Sequence, residues 1–201
     1  MKITFVRHGE TENNVNGILV DQLGGILTKK GIEQAKKLGK RLSKEKYDLI
    51  YCSDSSRTKQ TAKEIIKHHK KTPIIYTKEL RELGRGDFVG KLGKELWQVF
   101  LDSGEDFADF KPKNGESPND LRKRIEKFLK ELYKKYKGKN ILFITHGGVG
   151  RTIWNICKNK KIELSKKGKD LSKQDNCCVN ILEFINNKPK LKLYNCIKHL
   201  K

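Results

Sequence analysis

The chain has 201 residues, 45 Lys plus Arg against 24 Asp plus Glu, and a formal net charge of +21. A chain of this length suits one domain that buries roughly 70% of its unfolded surface, so neither a disulfide nor a metal is needed to hold a core together. Leu, Ile, Val and Phe exceed a quarter of the residues, which argues against disorder, and no apolar run approaches the roughly 18 residues of a membrane span.

Residues 2–6 read as a buried strand that gives way at Arg7 to a polar, Gly-containing loop. Thr28 caps a helix running to about residue 43, with Ile32, Ala35, Leu38, Gly39 and Leu42 on one face and lysines on the other. A short strand is expected at 49–52 and a helix over 56–68 with Ala62, Ile65 and Ile66 inward. After Pro73 a third strand is expected at 74–76. Ser117-Pro118-Asn119-Asp120 is a helix start with Ser as cap and Pro in the first helical position. Leu121, Ile125, Phe128, Leu129, Leu132 and Tyr136 then form one apolar stripe. Beyond Gly138 come a buried strand at 140–145 and a helix over 148–157. Strands at 178–185 and 191–196, separated by Asn186-Asn187-Lys188-Pro189, read as a terminal hairpin. This alternation implies an α/β three-layer sandwich over 1–201: a mainly parallel central sheet, helices on both faces and a C-terminal hairpin, in a single domain.

The charge does not itself name a partner. Eight of the 45 cations are Arg and the rest are Lys, spread in pairs and densest over 158–173. Without a zinc-finger, RNA-binding-sheet or basic-zipper signature, this reads as a solvated coat, and no specific nucleic acid is expected. Five Cys with no CxxC spacing read as free thiols in a reducing compartment. Together with an apolar start too short for a signal peptide, they predict a cytoplasmic protein that does not engage a membrane. His68 and His69, between lysines, are expected to be exposed at a helix end. The oligomeric state is open, a dimer included.

Chemistry concentrates at two strand ends. In an open parallel sheet ligands bind beyond the carboxyl ends of the strands. His8 follows the first strand in Arg7-His8-Gly9-Glu10-Thr11, and His146 follows the strand at 140–145 in Thr145-His146-Gly147-Gly148. Were these strands neighbours, about 4.8 Å apart, both imidazoles would face one site, with Arg57 reaching the same rim from the end of the second strand. Two guanidiniums, Arg7 and Arg57, make a dianionic phosphoryl group the natural ligand, and a neutral imidazole among them can serve as nucleophile. Gly9 and Gly147 allow close backbone approach. Neither a P-loop nor a complete GxGxxG is present, so a glycine loop cradling a nucleotide is not indicated.

Arg7-His8-Gly9-Glu10-Thr11 with Asn14, Gly17, Leu27-Thr28, Gly31 and Gln34-Ala35 resembles the opening signature of the histidine phosphatase superfamily, also called phosphoglycerate mutase-like. The resemblance continues through Ser53, Arg57, Gln60-Thr61-Ala62, Leu80-Arg81-Glu82, Gly86-Asp87-Phe88, Gly90, Gly115-Glu116-Ser117 and Thr145-His146-Gly147. It implies that His8 is the nucleophile of a phosphohistidine intermediate, that Arg7, Arg57 and His146 bind the phosphoryl oxygens, and that Glu82 is the acid and base. Asn14 and the backbone at Gly147 would add hydrogen bonds, and neither a metal nor a cofactor is implied. Ile18, Asn13, Ser55 and Val89 depart from residues frequent in the family and bear on the substrate.

Members resembling phosphoglycerate mutases carry a longer segment after the Glu82 block, with paired arginines for a carboxylate-bearing substrate. Here 91–114 has no Arg but has Trp97, Phe100, Phe107 and Phe110 with Asp102, Glu105, Asp106 and Asp109. That composition is expected to form a mixed aromatic and acidic lid, suited to a small phosphorylated metabolite with some apolar bulk. The leading expectation is metal-independent phosphomonoester hydrolysis. The alternatives are a short-form cofactor-dependent phosphoglycerate mutase and a polyanion-binding protein.

Overall fold

The computed structural model describes residues 1–162 and 173–201. Six strands form one sheet: β1 (Lys2–Arg7), β2 (Leu49–Ser53), β3 (Ile74–Thr77), β4 (Asn140–Thr145), β5 (Val179–Ile185) and β6 (Lys188–Cys196). Their order is β3-β2-β4-β1-β5-β6, with the first four parallel and β5 antiparallel to both β1 and β6. The helices are α1 (Glu12–Asn16), α2 (Lys29–Leu42), α3 (Ser56–Ile66), α4 (Gly93–Ser103), α5 (Pro118–Lys135) and α6 (Gly147–Cys157).

Alternation along the central strands splits the core in two. Ile3, Phe5, Tyr51, Ile141 and Phe143 face α5 and α6, whereas Val6, Ile50, Cys52, Leu142 and Ile144 face α2 and α3. Both faces are therefore covered, as the α/β reading requires. On α5, Leu121, Ile125, Phe128, Leu129 and Leu132 are buried, each contributing about 1.5–3 kcal/mol. Its start is a capping box in which Ser117 Oγ accepts from Asp120 N–H and Asp120 Oδ2 accepts from Ser117 N–H.

Several local expectations are corrected. Ile32 is 39% exposed and Gly31 takes its place on the buried face of α2. Gly31 packs so tightly on the Glu10 carbonyl that a side chain there would collide with it, and this contact, invisible in the apolar pattern, sets the rotation of the helix. His69 is buried with its ring 5.3 Å from that of Tyr47, because α3 ends at Ile66 and the following turn folds it inward. The hairpin turn is only Asn186-Asn187, both at positive φ, and Pro189 lies within β6, where an edge strand tolerates its missing donor. Cys177 precedes the strand in a left-handed turn (φ 56) and is buried with Cys52 and Cys178, while Cys157 and Cys196 are half-buried. Burial pushes the thiols of Cys52 and Cys157 up to about 12. Part of the lysine-dense stretch, residues 163–172, lies outside the described residues. No described helix is long and apolar enough to cross a membrane.

Candidate active site

β1 and β4 are adjacent and in register, Arg7 opposite Thr145, and His8 N–H donates to the Thr145 carbonyl at 3.0 Å. The two residues that follow these strand ends, His8 and His146, consequently share one site, their ring centroids 5.3 Å apart and both nearly free of solvent. β2 runs beside β4, so Ser53 at its end meets His146, and α3 starting at Ser56 delivers Arg57.

Each imidazole has a defined tautomer. His8 Nδ1 lies 2.7 Å from the Gly9 carbonyl, which can only accept, so Nδ1 carries the proton and Nε2 keeps its lone pair. His146 Nδ1 accepts from Arg57 Nε at 3.2 Å, so Nε2 holds the proton and donates to Ser53 Oγ at 2.8 Å. Burial first, then the charges of Arg7, His146 and Arg57, hold His8 well below the usual histidine range against the opposing Gly9 bond. Burial and the charges of Arg57, Arg7 and Arg124 do the same to His146. Both rings are neutral at pH 7.

The guanidiniums are pinned by backbone carbonyls. Arg57, 2% exposed, donates from Nη1 to Asp21 O and Gly24 O. Arg7 Nη1 donates to Gln174 O at 2.7 Å, while its buried Nε has no partner among the described residues. A buried, unpaired donor on a cation is costly unless a ligand oxygen meets it. Gly147, whose Cβ would stand 3.4 Å from that Nε, leaves the approach open.

Glu82 sits on the start of α6: its Oε2 accepts from Gly148 N–H at 3.0 Å and its Oε1 from Leu83 N–H at 2.8 Å. Gly148 leaves room for this contact, since a Cβ there would strike the carboxylate and push it off the helix start. Burial raises the Glu82 pKa, but the Arg85 charge, the two N–H bonds and Arg57 outweigh it, leaving a net lowering. Arg81, a conceivable partner for Glu82, instead forms a two-pronged pair with Asp54. Asn14 is exposed and its Oδ1 is engaged by Thr11 N–H and Asn176 Nδ2, so its Nδ2 is the group it has left for a ligand.

Two parts of the arrangement were not anticipated. Arg124 donates to the carbonyls of Glu79, Arg81 and Glu82 and to Glu116, caging the backbone that carries Glu82. Gln22 Nε2 joins the same cage through Glu82 O and Glu116 Oε2. In the sequence Arg124 borders the apolar stripe of α5, a position with no signal beyond that proximity, whereas Glu116 and Ser53 were visible only as parts of motifs.

The expected mixed lid is also corrected. Trp97, Phe100, Phe107 and Phe110 wall a cavity of about 220 Å³ beside Arg85 and Arg151, but none of the four acids lines it. Asp106 and Asp109 instead border a separate cavity with Arg122, Lys160 and Lys161, and Asp102 accepts from Gln98. Asp106 is held there because it caps the turn at Ala108, and Asp109 because it accepts from Asn119.

Residues 3–197 match the family model of the histidine phosphatase superfamily (branch 1). The chain belongs to the histidine phosphatase superfamily. A metal-independent phosphoserine phosphatase of Arabidopsis thaliana is 31% identical over 99% of this chain and 83% of its own length. The solved structure of Bacillus stearothermophilus YhfR superposes with a TM-score of 0.88 at 26% identity, over 100% of this chain and 99% of that one. That of an Entamoeba histolytica phosphoserine phosphatase mutant in complex with phosphoserine gives 0.83 at 26% identity, again over 100% and 99%. As a histidine phosphatase superfamily member of the phosphatase branch, the chain is a phosphomonoesterase that works through a phosphohistidine.

Proposed function

We propose that His8 is the nucleophile of a metal-independent hydrolysis of small phosphomonoesters, with Arg7, Arg57 and His146 holding the phosphoryl oxygens and Glu82 handling protons. The observation that carries this reading is the Nδ1–H bond of His8 to Gly9, which leaves a neutral Nε2 lone pair beside two cations. A dianionic phosphoryl group satisfies the orphaned Arg7 Nε, and its charge is met by Arg7 and Arg57. Gly147 adds the start of α6, and Asn14 offers its Nδ2.

The steps balance as follows. His8 Nε2 attacks phosphorus in line with the ester oxygen, a P–N bond forms and the P–O bond breaks. Glu82 gives its proton to the departing oxygen. In the free site Glu82 is ionised, but the arriving dianion offsets Arg57 and raises the Glu82 pKa, so substrate and proton arrive together. Water then attacks the phosphohistidine, Glu82 takes its proton, and inorganic phosphate leaves with His8 restored. Positioning and compensation of charge are what phosphoryl transfer mainly asks of a protein.

Hydrolysis, rather than mutase chemistry, is favoured by the phosphatase relatives and by the absence of arginine from 91–114. The acids of 91–114 do not bear on this choice, because they do not line the cavities at the site. The test is a phosphate-release assay beside an enolase-coupled assay on one preparation, with and without EDTA. Hydrolysis should exceed interconversion of phosphoglycerates by at least about tenfold in kcat/KM, roughly 1.4 kcal/mol, and should survive the chelator. Mutase turnover equal to hydrolysis, or loss of activity in EDTA restored by a divalent ion, would refute it.

A further inference from the structure

Three residues beyond Glu82, Arg85 is fixed by its backbone. It bridges to Gly115, and Gly86 next to it turns at φ +53, pressed so closely on the Lys113 carbonyl that no side chain would fit. The side chain of Arg85 borders a cavity of about 240 Å³ that begins at Arg7, Gly147 and Gly148. Leu83, Phe107 and Pro118 give this cavity apolar walls, and among its described lining residues there is no carboxylate. Arg85 also borders the aromatic cavity, whose one acid, Glu116, is already held by Arg124, Gln22 and Gly84 N–H.

Two nearby arginines are spent, Arg81 on Asp54 and Arg124 on Glu116 and backbone carbonyls, while Arg151 lines both cavities beside Arg85 and Lys173 lines the first, adding to their positive charge. Among the described residues, no hydrogen bond or ion pair occupies the Arg85 guanidinium. A half-buried guanidinium against apolar walls is a planar fork awaiting an anion, and one carboxylate matches its single charge bidentately. We infer that the substrate is a phosphomonoester of a small carboxylic acid, whose carboxylate is taken by Arg85 while its phosphoryl group lies at Arg7. This assignment rests on the hydrolytic reading given above and adds the second group of the substrate to it.

The position of Arg85 couples recognition to chemistry. Its charge is the foremost influence holding the Glu82 carboxyl ionised against the opposing effect of burial. A carboxylate paired with Arg85 offsets that charge and lets Glu82 keep the proton that it must deliver. An ester with a neutral tail brings only its phosphoryl dianion and leaves the Arg85 charge unopposed, so a smaller share of its complexes carries the Glu82 proton and discrimination reaches kcat as well as KM.

Matched pairs test this on wild type, Arg85→Gln and Arg85→Lys: O-phosphoserine against its carboxamide, and 3-phosphoglycerate against glycerol 3-phosphate, with fructose 1,6-bisphosphate as a further arm. The wild type should favour each carboxylate by at least tenfold in kcat/KM, with part of the preference in kcat. The ratio should fall towards one in Arg85→Gln and be partly kept in Arg85→Lys. A ratio is independent of the active fraction, so partial misfolding of a variant does not mask the result. Equal use of both members by the wild type, a preference that survives Arg85→Gln, or a preference for the bisphosphate would overturn the carboxylate assignment while leaving hydrolysis standing. Phosphate release from none of the arms would defeat the hydrolytic reading and the assignment together.

Discussion

Arg57 and His146 are joined directly: the guanidinium Nε donates to the imidazole Nδ1 at 3.2 Å, between two groups that are both buried. The bond keeps the His146 proton on Nε2, against Ser53, and it ties the end of β4 to the start of α3. Replacement of either partner therefore disturbs a tautomer as well as a charge.

Acid should destabilise the fold through its two neutral histidines. His8 and His146 are both held well below the usual range, by burial before all else, so below about pH 6.5 the unfolded chain binds protons that the native site refuses. Their contribution is complete above pH 6.5 and is lost as the pH falls towards the folded pKa values. Thermal melts from pH 8 to pH 5 should show Tm falling on the acid side, less steeply in His146→Asn. A melt whose acid slope is the same in wild type and variant would contradict the neutral assignment of His146.

Arg57→Ala should weaken vanadate inhibition by about 10- to 150-fold, the equivalent of the 1.5–3 kcal/mol typical of a charged hydrogen bond. It should also lower Tm, because the carbonyls of Asp21 and Gly24 lose their donor. Arg57→Lys keeps the charge without the fork and should fall between. Unchanged vanadate inhibition in Arg57→Ala would put this side chain outside the phosphoryl pocket.

Glu82→Gln should slow esters with poor leaving groups far more than a nitrophenyl ester, which departs without a proton. Gly148→Ala should copy that pattern in milder form, because its Cβ displaces the carboxylate from the helix start. The readout is the slope of rate against leaving-group pKa; equal losses on all esters would mean that Glu82 has a structural part only.

Arg124 touches none of His8, Arg7 and Arg57 through any of its hydrogen bonds, yet it holds the carbonyls on both sides of Glu82. Arg124→Met should lower kcat on poor leaving groups by more than about tenfold while vanadate inhibition stays within about threefold, and Arg124→Lys should recover part of the loss. A parallel collapse of vanadate binding and Tm would assign the residue to general stability instead of positioning.

The parts of this fold that depend on local pattern were readable from sequence, and those that depend on one distant contact were not. Alternating apolar strands and a capped, striped helix at Ser117 gave the sandwich, and equivalent strand ends placed His8 beside His146. Ile32 looked inward because periodicity counts apolar side chains, whereas the face of α2 is set by Gly31 against the Glu10 carbonyl, a contact between residues far apart in the chain. Asp106 and Asp109 were legible as charges but not as caps, so their direction away from the site required the turn at Ala108 and the partner at Asn119. The Glu82 cage was hidden for the same reason: Arg124 serves carbonyl groups, and backbone acceptors leave no mark on composition.

The central claim is the covalent one, and it is tested most directly by trapping the phosphoenzyme. A rapid alkaline quench with labelled substrate, followed by peptide mapping, should find an acid-labile, base-stable phosphoryl group on the peptide containing His8, absent from His8→Ala and accumulating in Glu82→Gln with a nitrophenyl ester. A label that stays in His8→Ala, or maps to another residue, would contradict the account.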